Sequence, residues 1–200
     1  MIVLVACEFS GVVREAFRAR DHYAVSCDIL PAEDGSKFHI QAPIEDVLFH
    51  DKWPWDLMIA HPPCTYLSVS GLHWNKKDPE RAAKTEEALR FVQMLMDAPA
   101  KYICIENPVS CISSRIRKPD QIIQPYQFGH DASKKTCLWL KNLPPLTTTQ
   151  YVEPRWVDGK PRWANQTDSG QNKLGPSPTR AMERSRTYEG IARAMAEQWS

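Results

Sequence analysis

Apolar positions fall into short continuous runs separated by polar and proline-rich stretches. Ile2-Val3-Leu4-Val5-Ala6-Cys7 is unbroken and largely β-branched, the pattern of a strand buried on both faces. Glu8-Phe9-Ser10-Gly11 follows, and then Val12, Val13, Ala16 and Phe17 at helical spacing as far as Arg20, so the chain opens as strand, tight turn, helix. A second strand over residues 23–27 ends in Asp28 and Ile29. Residues 31–43 have no helical periodicity and predict a short or irregular crossover. Ile44-Glu45-Asp46-Val47 then leads to a third apolar run at residues 55–60. Asp78-Pro79-Glu80 is a helix start, with an N-cap aspartate, proline at the first helical position and an acid in the first turn. That helix runs to about Met96, with Leu89, Val92 and Met96 as its core stripe. A fourth buried strand, 101–105, stops at Glu106-Asn107-Pro108. Residues 121–128 and 136–140 read as further strands, and 188–200 as an amphipathic helix carrying Ile191, Met195 and Trp199 on one stripe. Strands alternating with helices predict an α/β fold with a mainly parallel sheet flanked by helices.

The third run ends at His61-Pro62-Pro63. Two prolines cannot continue a central strand, since neither has an N–H for the ladder, so the chain leaves the sheet on a stiff loop that presents Cys64. Open α/β sheets bind ligands at such strand ends, which makes Cys64 a candidate nucleophile. The alternative is a small buried hydrophobe behind a turn. Glu106 at the end of the fourth strand, with Pro108 fixing the chain beyond it, is a positioned acid or a glutamate capping a turn. In one parallel sheet both ends lie at the same edge, which favours a site. Gly11 permits close approach of a ligand to the first turn, and the helix that follows would offer free N–H groups. With one glycine the turn is not the dinucleotide fingerprint. Asp28, at the end of the second strand, suits hydrogen bonding to ribose hydroxyls, or is a solvated loop aspartate.

Charge changes this picture little. Lys plus Arg number 25 against 24 Asp plus Glu, so no global basic field attracts nucleic acid and any such contact is local. Residues 151–186 carry seven basic against four acidic side chains, interleaved with Tyr151, Trp156 and Trp163. That mix suits phosphate contact and base stacking, or equally a segment whose tryptophans cover the core. The six cysteines form no C-x-x-C pair and no signal peptide is evident, so the chain reads as reduced and cytoplasmic. No apolar segment approaches the ~18 residues of a membrane span. The scattered histidines argue for no metal site.

Pro63-Cys64-Thr65-Tyr66-Leu67-Ser68-Val69-Ser70-Gly71 resembles the Pro-Cys motif and downstream Ser-x-Ser-Gly of the C5-cytosine DNA methyltransferases, in particular small phage and prophage members. Glu106-Asn107-Pro108 resembles the family's Glu-Asn-Val, and Phe9-Ser10-Gly11 its cofactor loop. Order and spacing agree over roughly residues 2–140. The sequence departs in three places: Pro108 stands for the usual valine, the glutamine-arginine motif is reduced to Lys134-Lys135-Thr136, and no large target-recognition domain is present. The resemblance implies a Rossmann-like class I methyltransferase fold with a catalytic core at 1–141. A basic, aromatic loop region at 142–187 would serve as a reduced target-recognition segment, and a helix at 188–200 would pack back on the core. It implies S-adenosylmethionine as cofactor, held by Phe9, Ser10, Gly11, Asp28, Ile29, Asp46 and Pro62. Asp28 would bind the ribose and Asp46 the adenine amino group. Cys64 would attack C6 of a cytosine flipped out of double-stranded DNA, and Glu106 would hydrogen-bond N4 and N3. Ser68, Ser70, Lys134, Lys135, Arg155, Arg162, Arg180 and Arg184 would contact nucleic acid. RNA or a free pyrimidine nucleotide as substrate, and a non-catalytic nucleic-acid-binding relative, are the alternatives.

Overall fold

The computed structural model describes residues 1–49, 54–177 and 180–200. In chain order the elements are β1 (Ile2–Ala6), α1 (Val12–Arg18), β2 (Tyr23–Asp28), β3 (His39–Gln41), α2 (Ile44–Leu48), β4 (Leu57–Ala60), α3 (Pro79–Met96), β5 (Tyr102–Pro108), α4 (Ile112–Arg115), β6 (Gln121–Ile123), β7 (Thr136–Lys141), β8 (Arg155–Val157), β9 (Lys160–Arg162), α5 (Arg180–Ser185) and α6 (Glu189–Gln198). Single turns of 3-10 helix lie at Pro125–Gln127, and a longer stretch at Val69–Lys76.

Seven strands form one sheet in the order β3-β2-β1-β4-β5-β7-β6. From β3 to β5 the neighbours are parallel, and β7 runs antiparallel to both β5 and β6. This is the Rossmann-like sheet of class I methyltransferases. Successive strand residues point to opposite faces, and both faces are covered. Leu4, Ala6, Met58, Ala60, Ile103 and Ile105 pack under α2, α3 and α4. Val3, Val5, Leu57, Ile59 and Cys104 pack under α1 and α6, where Phe17, Ile191, Met195 and Trp199 meet them. The unbroken apolar runs are the consequence, because no position on these strands faces water. The registers Ala6↔Ala60 and Ala60↔Ile105 bring the three central parallel strands to a common edge.

Four segments differ from the sequence reading. The crossover after β2 holds a short edge strand, β3, in the stretch read as loop. The strand expected over 121–128 stops at Ile123, because Pro125 has no N–H for a ladder and turns the chain into 3-10 helix. The fourth strand does not end before Glu106. Antiparallel pairing with β7 carries β5 on through Asn107↔Cys137 and Pro108↔Thr136. Within 151–186, which lacks periodicity, a hairpin β8–β9 turns at Asp158-Gly159, both with positive φ (50° and 70°), the geometry that favours Asp-Gly.

Gly190, at the start of α6, sits where a Cβ would lie 1.8 Å from the carbonyl oxygen of Phe128, and its N–H donates to Nε2 of His130 at 2.8 Å. The close approach seats the start of α6 against the loop at Phe128 and His130. Gly190→Ala should therefore lower the unfolding free energy by about 1–3 kcal/mol, the usual cost of overpacking. Urea denaturation measures it, and a change under about 0.5 kcal/mol would show that α6 is not held by this contact.

Candidate active site

Three ionisable side chains meet at the ends of β1, β4 and β5. Glu8 lies just beyond β1, His61 follows β4 directly, and Glu106 is the first β5 residue past the register with β4. All three are largely buried. His61 Nδ1 and Glu106 Oε2 are 2.9 Å apart. Burial alone would raise the Glu106 carboxyl, but the hydrogen bond and charge of His61 outweigh it, helped by Lys134 and the Thr136 hydroxyl, and hold it below its ordinary value. Burial would likewise lower His61, yet Glu106 first and Glu8 second push it above its ordinary 6.5. Each partner thus favours the charged form of the other. Glu8 goes the other way. Burial raises its carboxyl despite the nearby His61 and two backbone donors.

Those donors are the N–H groups of Val13 (2.7 Å) and Arg14 (3.2 Å), both accepted by the Glu8 carboxyl. The first turn of α1 was expected to offer free N–H groups to a cofactor. Instead Glu8 occupies them, as a side chain reaching back to cap the helix that follows it.

The loop carrying Cys64 is fixed at both ends. Asn107 donates its side-chain N–H to the carbonyl of Pro62 at 2.7 Å, tying the β4 exit to β5. Beyond the thiol, the Cys64 carbonyl accepts N–H bonds from Leu67 and Ser68. Thr85 and Arg81 of α3 then hold the carbonyls of Tyr66 and Thr65 at 3.0 and 3.1 Å. Cys64 itself is exposed. The other five cysteines are buried or half-buried, and burial pushes each of their thiols up, Cys27 to about 11. Of six thiols, one is presented to solvent.

The residues expected to bind cofactor lie around the β1 and β2 ends. Gly11 has φ 74° and a Cβ there would lie 2.3 Å from the Arg14 guanidinium, so the turn admits only glycine. The Phe9 carbonyl accepts from Glu33, which draws the crossover loop against Ser10. Asp28 Oδ1 accepts the Leu30 N–H at 2.9 Å. Ile29 beside it is 70% exposed, a large apolar side chain left open at the strand end. Asp46 is exposed in α2, and Pro62 is buried. A separate open cavity of 810 Å³ lies between α2 and α3, lined by Glu45, Pro63, Tyr66, Ala88, Phe91 and Met94 together with the charged Lys84, Glu87 and Arg90.

The basic residues expected on nucleic acid divide into two groups. Arg155 pairs with Asp168 at 2.5 Å and donates to the Gln166 carbonyl, and Arg162 donates to the carbonyls of Asp168 and Pro161. These two guanidiniums brace the loop behind the β8–β9 hairpin. Arg180 is half-buried. Arg184 and Lys135 are exposed, while Lys134 donates to the Arg184 carbonyl at 2.8 Å. The Ser68 and Ser70 hydroxyls bond each other at 3.1 Å. The two tryptophans of this segment differ in burial. Trp163 is buried and stacks on Tyr126 with centroids 4.0 Å apart, whereas Trp156 on the hairpin is 68% exposed.

Glu8 and His61 escaped the sequence reading. His61 carried a signal, an ionisable residue directly between a buried strand and Pro-Pro. Glu8 stood after a β-branched run and could be taken for turn. Among the described residues no group of three His, Cys, Asp or Glu side chains could hold a metal ion, and no helix is long and apolar enough to cross a membrane.

The chain matches no family profile and no curated protein. Among solved structures it is similar to an E. coli protein described as a candidate DNA modification methyltransferase encoded within a prophage, with 13% identity and a TM-score of 0.43 over 88% of this chain. It spans 62% of that protein's length. At this distance the likeness says nothing of chemistry.

The His61–Glu106 pair should set part of the pH dependence of stability. Glu106, lowered on folding, stabilises above its ordinary 4.5 and loses this as pH falls through its folded value. His61, raised on folding, stabilises below 6.5 and loses this as pH climbs through its folded value. The stability difference between wild type and Glu106→Gln should therefore be largest between pH 4.5 and 6.5, at about 3–5 kcal/mol for breaking a buried pair, and shrink on either side. Denaturant titrations across pH test this, and a pH-independent difference would contradict the ion pair.

Proposed function

We propose that the protein is an S-adenosylmethionine-dependent DNA methyltransferase acting on C5 of cytosine through a covalent bond from Cys64 to C6. The observation that supports it most is the pairing of one exposed thiol, on a loop tied by Asn107 to β5, with a buried acid on that strand. C5 of cytosine is a weak nucleophile. Addition of the Cys64 thiolate to C6 shifts the ring π electrons so that C5 becomes enamine-like and can attack an electrophile. S-adenosylmethionine, when bound, supplies that electrophile as the methyl of a sulfonium. Glu106 accepts from the N4 amino group and gives a proton to N3 as charge develops there. Loss of the C5 proton to a base then expels the thiolate and restores the ring.

The residues around the β1 and β2 ends fit the cofactor. Asp28 places a carboxylate for ribose hydroxyls, and exposed Ile29 offers an apolar face to adenine. With the α1 N–H groups taken by Glu8, binding rests on side chains and on backbone of residues 9–11. Asp46 fills the adenine-amino role by resemblance.

A polymer substrate is favoured by Trp156, whose exposed ring on a hairpin flanked by Lys160 suits base stacking. C6 is inaccessible in a stacked duplex, so the cytosine is flipped out at a cost of about a few kcal/mol. The region 142–187 is then a reduced target-recognition segment. With Arg155 and Arg162 engaged by Asp168, the phosphate contacts fall to Lys135, Arg184 and Lys134, with Arg180, Ser68 and Ser70 nearer the loops. Few rigid side chains remain to read base edges, so the target is short or relaxed.

Incubation with methyl-labelled S-adenosylmethionine and, separately, duplex DNA, RNA or dCMP should place label on C5 of cytosine in DNA. Cys64→Ser should reduce transfer at least about a thousand-fold with cofactor affinity by calorimetry unchanged within twofold. Label only in RNA or dCMP, or on the exocyclic nitrogen, would overturn the assignment.

A further inference from the structure

We propose that His61 is the positioning residue for Glu106: it aims the carboxyl at the substrate and carries, on Nδ1, the proton that Glu106 passes to the cytosine ring. This rests on the C5-methyltransferase reading and adds to it the source of a proton. Thiolate addition forms the S–C6 bond. The C5=C6 pair moves to C4=C5, and the C4=N3 pair moves to N3, which takes a proton. A carboxylate is an acceptor only. Glu106, held ionised by its neighbours, cannot supply that proton from its own store.

The bonded group that can is His61, 2.9 Å away through Nδ1. Transfer along this bond leaves neutral imidazole and a Glu106 carboxylic acid, which protonates N3. When C5 has gained the methyl from the cofactor sulfonium, water takes the C5 proton, the C5–H pair becomes C5=C6, the S–C6 pair returns to sulfur, and the N3 proton goes back through Glu106 to His61. The two ends of the cycle have the same proton inventory.

The other charged groups facing the pair are placed to support this traffic rather than replace it. Lys134, on the loop leading into β7, donates to the Arg184 carbonyl. Thr136 of β7 donates to the Lys134 carbonyl at 3.2 Å. Glu8, at the β1 end, has its carboxyl oxygens engaged by the Val13 and Arg14 N–H groups and acts on the imidazole through charge alone. Buried Nε2 of His61 has no hydrogen-bond partner among the described residues, so Glu106 is its ring's one directional contact there. A histidine needed only to close the turn would not leave a buried ring nitrogen unpaired.

The experiment has two arms on the intact protein. Nitrogen-15 titration of the His61 ring by NMR needs no substrate. The expected result is a His61 pKa above the ordinary 6.5, falling by about one unit or more in Glu106→Gln and by less in Glu8→Gln, which serves if the first variant does not fold. The second arm is the pH profile of methyl transfer. His61→Asn places an amide N–H near the Nδ1 position, able to orient Glu106 but holding no titratable proton. At pH 7.5 its kcat should fall about 10–100-fold with KM within about threefold. The alkaline limb that tracks His61 in wild type should give way to a rate that keeps climbing toward acid, as Glu106 draws protons from solvent. Normal kcat and an unchanged pH profile in His61→Asn would overturn the proposal, as would a His61 pKa at or below 6.5 that ignores Glu106. If wild type methylates no cytosine the functional reading fails, while the NMR arm still decides whether His61 holds the proton for Glu106.

Discussion

Everything at the candidate site depends on the parallel pairing of β4 with β5. The register Ala60↔Ile105 makes His61 and Glu106 neighbours one step beyond the last pair, and it brings the Asn107 amide to the Pro62 carbonyl. Side-chain direction alternates with period 2, so a slip of one residue would turn Glu106 to the opposite face and leave both charges unpaired in the core. The apolar residues that enforce the register, Met58 and Ala60 toward α3 and Leu57 and Ile59 toward α1 and α6, therefore also set the chemistry.

Electrostatics then sort the groups into roles. Burial lifts the thiols inside the fold and leaves Cys64 as the one presented to solvent. The same burial forces His61 and Glu106 to share charge, since either alone would neutralise in so dry a place. Glu8 joins two functions, capping α1 and facing the imidazole. In the family that the motifs resemble, an arginine motif stands where this chain has Lys134-Lys135-Thr136. Here the nearest positive partner of Glu106 comes from β4 instead, through His61.

Much of the fold could be read from local pattern. The apolar runs marked β1, β2, β4 and β5 because strands buried on both faces have little polar alternation to hide them, and Asp78-Pro79 marked α3 because caps are local chemistry. Cys64 stood out because Pro-Pro stops a strand whatever surrounds it. What escaped depends on neighbours distant in sequence. Nothing local says that β5 continues past Glu106, since only β7 supplies the ladder. The bracing of Arg155 and Arg162 by Asp168 is equally invisible in a count of basic residues. So is the reach of Glu8 to the first turn of α1, which removed donors that the turn seemed free to offer.

The central claim is that Cys64 alone forms the bond to the base, and a mechanism-based trap tests it most directly. Duplex DNA carrying 5-fluorocytosine, incubated with the protein and S-adenosylmethionine, cannot lose fluorine as it would a proton, so the adduct stalls. Proteolysis and mass spectrometry should then find the base on the peptide containing Cys64. Attachment at any of the other five cysteines, or methyl transfer to ordinary DNA with no trapped adduct, would contradict the account.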